Sequence, residues 1–181
     1  MHMDIEAQIV NRLSSVLGLP LAIARDAGNM KNFQFGKIRP DPSGKGTLGD
    51  FALHLSCPWR LVTNNRILTG SADYYEPAVE GEDVNLDDPR SGNLQRRRLR
   101  EIFTVFDPKT RSLVNETEAP IVTAVHSDQF GGLDLDLSGG FRLQVFPTGS
   151  RGEDWRFFSP GGEEDHFVVE GGHLDSSTSQ P

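Results

Sequence analysis

The spacing of apolar residues changes twice along this chain. Over residues 4–17, Ile5, Ile9, Leu13 and Val16 recur every three or four positions, and Val10 and Leu17 widen the stripe. That period predicts an amphipathic helix lying on one face of a sheet. Asp4 and Glu6 sit at its start, where the helix dipole favours negative charge, and Gly18 and Pro20 end it.

From residue 21 the period falls to two. Residues 21–25 and 32–37 predict short strands around a turn at Gly28-Asn29, followed by a Pro- and Gly-rich connection over 39–46. Phe51, Leu53 and Leu55 alternate with Ala52, His54 and Ser56 in the clearest strand of the first half, which runs on through Cys57-Pro58-Trp59-Arg60. Asn64-Asn65 predicts a hairpin turn into 66–70.

The helical period returns over about 92–106. There Leu94, Leu99, Ile102, Phe103 and Phe106 form the apolar side, Arg96, Arg97 and Arg100 face outward, and Asp107-Pro108 ends the element. Strands then follow at 121–126, 133–137, 141–146, 155–158 and 166–170, separated by Gly-rich turns. Leu133, Leu135 and Leu137 against Asp134 and Asp136 mark a strand with one buried and one polar face. The connections are too short for parallel crossovers. The expected fold class is therefore α+β, a mainly antiparallel, curved meander with an N-terminal helix and one mid-chain helix. Residues 1–172 form one domain in this reading, and 173–181 form a disordered tail.

Composition narrows the function. The chain has 181 residues, 26 acidic and 18 basic, for a formal net charge of −8. An acidic balance opposes nonspecific binding to nucleic acid or to anionic membrane. No stretch reaches the ~20 apolar residues of a membrane helix, and the acidic N-terminus lacks a secretory pattern. With one cysteine, Cys57, no disulfide can form within the chain, so the expected compartment is the cytoplasm.

The motifs that invite chemistry are weak. Cys57 continues the apolar side of its strand and reads as a small core residue rather than a nucleophile. His126-Ser127-Asp128 and Asp165-His166 lack the spacings of a zinc site. Gly44-Lys45-Gly46-Thr47 lacks the upstream glycine of a phosphate loop and leads into a strand. Glu153-Asp154 and Glu163-Glu164-Asp165 read as solvated turn groups. The sequence therefore predicts no catalytic residue, metal or cofactor.

Residues 73–88 stand out more clearly. Tyr74, Tyr75, Glu76, Glu80, Glu82, Asp83, Asp87 and Asp88 combine aromatic and acidic groups, a composition suited to a basic protein partner. The arginines at 90–100 follow directly, and mutual neutralisation of the two blocks is the simpler account. A second candidate is a small-molecule-binding module or enzyme with a pocket between sheet and helix, near the Cys-Pro-Trp-Arg strand, lined by His54, Arg60, His126 and Arg156. Arg60 and Arg156 each follow a tryptophan and are placed to stack on a ring or pair with a carboxylate.

Phe51 through Arg60, Leu137-Ser138-Gly139-Gly140 through Phe146-Pro147, and Asp154-Trp155-Arg156 carry a resemblance. Over about residues 47–172 the chain resembles uncharacterised small actinobacterial-type proteins. These share a Cys-Pro-Trp-Arg strand end, a Ser-Gly-Gly hairpin and a closing His-Phe-Val-Val segment. The resemblance implies no activity and transfers no catalytic residue. Proteins of this size and charge look like immunity or inhibitor proteins, an analogy that favours non-catalytic protein binding.

Overall fold

The computed structural model describes residues 4–44, 46–85, 92–107, 110, 112–114, 118–163 and 166–175. The part of the predicted tail beyond Asp175, and Asp87 and Asp88 of the acidic segment, lie outside them, whereas His173 and Leu174, expected in that tail, form a strand paired with Glu170 and Val169.

The first apolar stripe forms α1 (Ile5–Leu13), capped where the Asp4 carboxylate accepts from the Ala7 amide at 2.8 Å. Strands then run β1 (Leu21–Ala27), β2 (Met30–Phe35), β3 (Arg39–Pro40), β4 (Thr47–Leu48), β5 (Phe51–Leu55), β6 (Trp59–Val62) and β7 (Ile67–Gly70). A 3-10 turn at Ser71–Tyr75 and α2 (Leu94–Ile102) come next. The chain closes with β8 (Thr104–Asp107), β9 (Ser112–Val114), β10 (Val122–Ser127), β11 (Leu133–Leu137), β12 (Phe141–Val145), β13 (Glu153–Phe158), β14 (Phe167–Glu170) and β15 (His173–Leu174). The α+β class with two helices and mostly antiparallel sheets is the one the sequence predicts.

The strands form two main sheets. The larger has the order β15-β14-β13-β5-β2-β1-β8-β9 and the smaller β10-β11-β12-β6-β7, with β3-β4 as a separate ribbon. Consecutive strands neighbour one another in β10-β11-β12 and β13-β14-β15, while longer connections bring β13 beside β5 and β12 beside β6. β1 and β8 pair in parallel through Ile23↔Thr104 and Ala24↔Val105.

One hydrophobic cluster joins the two sheets and α1. Phe33, Phe35, Leu53, Leu55, Trp155 and Phe157 face it from the large sheet, and Leu61, Leu135, Leu143 and Val145 from the small one. Phe33 and Trp59 meet edge-on across the gap, ring centres 5.2 Å apart. Ile9 and Leu13 of α1 are fully buried in the same cluster. Cys57 belongs to it too, and burial, then the nearby Asp154, push its thiol up to about 12, which leaves it protonated and inert at neutral pH.

Three local expectations need correction. The second helix ends at Ile102 rather than near 106, because Phe103 takes extended angles (φ −124°, ψ 162°) and is buried. The β-branched Thr104 and Val105 then continue as a strand beside β1. Arg96 does not face outward. The buried stripe of α2 is Gln95, Arg96 and Leu99, continued by Phe103, and the Arg96 guanidinium sits 3.5 Å from the Asp26 carboxylate. That carboxylate also takes the buried Lys31 ammonium, so a charged knot fixes α2 to the β1–β2 hairpin. Glu153 and Asp154 lie in β13 rather than in a turn.

Candidate functional site

A polar row crosses the large sheet on the face turned away from the core. Cross-strand partners place Arg25 of β1 opposite Asn32, Asn32 opposite His54 of β5, and His54 opposite Arg156 of β13. The adjacent row holds Ile23, Gln34, Ala52 and Phe158. These positions alternate with Phe33, Leu53 and Phe157, whose side chains fill the core, so the period of two puts polar groups on the far side.

That far side is nevertheless buried in its middle: Asn32 is 3% exposed and Gln34 1%. The cover is the excursion from Gly36 to Asp50, which carries the β3–β4 ribbon. Gly36 opens it at φ +87°, and a Cβ there would lie 2.2 Å from an Asp50 carboxylate oxygen, so only glycine fits. The same carboxylate accepts from the Lys37 amide at 2.8 Å. Arg39 clamps the excursion by donating to the carbonyls of Gly49 (3.0 Å) and Pro160 (2.9 Å) and pairing with Asp50. The Gly49 amide donates to the Gln34 side chain at 2.7 Å, and Arg25 donates to the Thr47 carbonyl at 3.2 Å.

Between sheet and cover lies a cavity of about 520 Å³. Asn32, Gln34, Ala52 and His54 form its floor, and Ala27, Leu48, Phe158 and Pro160 its apolar walls, with Arg25, Asp26 and Arg96 at its margin. This is the size and apolar-with-few-polar character of a small-molecule site.

Its polar groups are unusual in one respect. Asn32 Oδ1 is buried without a hydrogen-bond partner among the described residues. Such an atom costs about 1–3 kcal/mol when left unpaired, so native proteins seldom keep one. Beside it, His54 meets the Phe158 ring edge-on at 4.8 Å. Burial, then Arg156 and Arg25, lower its pKa to about 4, so its imidazole is neutral at pH 7, with one donor and one acceptor nitrogen. Phe158 in turn stacks on His166 at 4.2 Å, and His166 Nδ1 lies 3.1 Å from Arg156 Nη1. Glu153 holds the Arg156 guanidinium through both carboxylate oxygens, and this hydrogen bonding raises the arginine's pKa.

Of the four pocket residues the sequence nominates, the structure brings two together. His54 lines the cavity, and Arg156 is its cross-strand neighbour. Arg60 and His126 stand on the other sheet. Arg60 donates to Gln144 at 2.8 Å and lies over the Phe146 ring at 5.0 Å, while the exposed His126 sits 3.3 Å from Asp136. Asn32 and Arg25 are the participants that the sequence reading passes over. Among the described residues no three His, Cys, Asp or Glu side chains converge on a metal-sized site. Among the described residues the titratable side chains lining the cavity are Arg25, Asp26, His54 and Arg96.

The acidic segment lies elsewhere. Tyr74 and Tyr75 sit in the 3-10 turn with rings 5.4 Å apart, and Tyr75 is 66% exposed. Glu76, Glu80, Glu82 and Asp83 are exposed. The backbone here is tied to α2, with Leu94 donating to the Glu76 carbonyl and the Arg97 guanidinium to the Ala78 carbonyl. The helix arginines pair with other carboxylates: Arg97 and Arg98 with Glu101, and Arg96 with Asp26. Among the described residues the four acidic side chains form no ion pair with them. No helix among the described residues is long and apolar enough to cross a membrane.

No protein-family model, curated protein or solved structure matches this chain.

Proposed function

We propose that this chain is a small-molecule-binding module whose site is the covered outer face of the large sheet. The observation that carries the reading is the unpartnered, buried Asn32 amide at the floor of a 520 Å³ cavity. A polar group left unpaired under cover is a stability cost, and a ligand that completes its hydrogen bonding offsets that cost. His54 beside it supplies a second neutral hydrogen-bonding group, and the walls supply apolar contact.

Ala27 tests the reading. It is half-exposed at the end of β1, on the same face as Arg25, and lines the cavity wall. Ala27→Trp places an indole in the pocket without touching the core. In a fragment screen read by saturation-transfer NMR, the wild-type protein should give hits that this variant loses while its melting temperature is unchanged. Equal hits on both proteins, or none on either, would remove the pocket as the site.

A second reading rests on the acidic segment. Its exposed Glu76, Glu80, Glu82 and Asp83 lie near Tyr75 and, among the described residues, form no ion pair with the helix arginines. They leave a negative, aromatic surface of the kind that recruits a basic protein. A triple reversal, Glu80→Lys, Glu82→Lys and Asp83→Lys, should then abolish capture of a basic polypeptide by the immobilised protein while its circular dichroism stays the same. Capture that survives the reversal excludes the segment as the contact.

A further inference from the structure

We infer that the pocket takes an uncharged, flat molecule bearing a carboxamide or lactam edge, that is, a hydrogen-bond donor beside an acceptor. The inference rests on the pocket reading above and adds the chemical class of the ligand.

Two floor side chains have hydrogen-bonding capacity to spare. The Asn32 amide makes no hydrogen bond to a described residue, and its Oδ1 is fully enclosed. The contact of His54 is the edge of the Phe158 ring. The two residues are direct partners across β2 and β5, so their side chains start about 4.5–5.5 Å apart and project into the cavity side by side. A primary amide shows an acceptor and a donor along one edge, and its best complement is another such edge, with N–H meeting Oδ1 and C=O meeting the NH₂. The neutral imidazole next to it can give or take one further hydrogen bond.

The charged groups argue the rest. Arg96 lies 3.5 Å from Asp26, Arg25 lies in the field of Asp41 and donates to the Thr47 carbonyl, and Glu153 holds Arg156. Each guanidinium near the cavity therefore already has a carboxylate. A ligand anion would have to compete with Asp26, Asp41 or Glu153, and a ligand cation would meet Arg25 and Arg96 and would have to displace Lys31 and Arg96 from Asp26, the carboxylate among the described lining residues. Either charge would also be carried from water into a space walled by Leu48, Ala52, Phe158 and Pro160, a costly transfer. An uncharged amide meets none of these obstacles, and the cavity has room for two fused rings.

An isosteric set separates the possibilities. Calorimetric titration would compare 2-naphthamide with 2-naphthoate and 2-naphthamidinium, which keep the ring and change only the charge of the head group. The expected result is measurable binding of 2-naphthamide, at least tenfold weaker binding of both charged analogues, and at least tenfold loss for N,N-dimethyl-2-naphthamide, which has no N–H. Asn32→Leu should weaken 2-naphthamide by tenfold or more. If that variant does not fold, Ala27→Trp reads the same loss. Binding of 2-naphthoate as tight as that of the amide would overturn the uncharged class while leaving the pocket in place. Failure of all four probes would also overturn it. Fragment hits that nonetheless disappear in Ala27→Trp would then keep the pocket, and absence of such hits would remove both.

Discussion

Asn32→Leu should raise the unfolding free energy by about 1–3 kcal/mol, the usual cost of an unpaired buried polar group, and at the same time weaken 2-naphthamide binding by tenfold or more. The opposite signs make this substitution informative. Asn32 is 3% exposed, its Oδ1 has no partner among the described residues, and its backbone sits mid-strand between β1 and β5. Leucine has similar length, suits a covered sheet face and carries no polar atom to strand. If Asn32 served the fold, leucine there would destabilise. Urea unfolding at fixed m-value gives the sign directly. A loss of stability beyond about 1 kcal/mol would mean that the amide is paired in the folded protein, since truncating a satisfied buried group carries a cost of this order.

Trp155→Ala should have the largest effect on the fold, a loss of about 3–5 kcal/mol, as expected for a buried tryptophan truncated to alanine. Trp155 is fully buried, packs against Phe167 with ring centres 6.0 Å apart, and donates from Nε1 to the Gly131 carbonyl at 2.8 Å. That bond ties the large sheet to the turn between β10 and β11, so truncation opens a cavity and leaves a buried carbonyl unpaired. Against a total stability of about 5–15 kcal/mol for an ordinary domain, the loss is severe. A thermal melt followed by near-ultraviolet circular dichroism measures it. Trp155 faces the core and the pocket lies on the opposite side of the sheet, so any Trp155→Ala protein that remains folded should keep its affinity for 2-naphthamide.

Much of the fold was legible from residue spacing, because each element that buries one face repeats its apolar residues at the period of its geometry. α1 follows from Ile5, Ile9 and Leu13, and β11 from its three alternating leucines. The second helix departs from its apolar spacing at both its end and its face. Leu94 and Phe106 extended an apparent stripe, whereas the inward positions include Arg96, whose burial depends on Asp26, seventy residues earlier in the chain. Nothing local announces a buried arginine when its counter-charge comes from another hairpin.

The site was half legible. His54 and Arg156 drew attention as titratable groups beside aromatic residues, and the register of β5 against β13 makes them neighbours. Asn32 and Gln34 read as ordinary outward residues, since they alternate with Phe33 and Phe35, and such alternation normally means water on the polar face. What reverses that meaning is the cover from Gly36 to Asp50, held by Arg39 to Pro160, a contact between residues 121 positions apart. Spacing within a strand reports which face is polar. It does not report what lies over that face.

The most direct test of the pocket is an amide correlation spectrum of ¹⁵N-labelled protein titrated with 2-naphthamide. Binding in the pocket shifts the Asn32 side-chain NH₂ and the backbone amides of 25–28, 48–54, 158, 159 and 161, with the small sheet unmoved. Shifts centred on residues 73–83, or spread over β10–β12 while the Asn32 NH₂ stays in place, would contradict it.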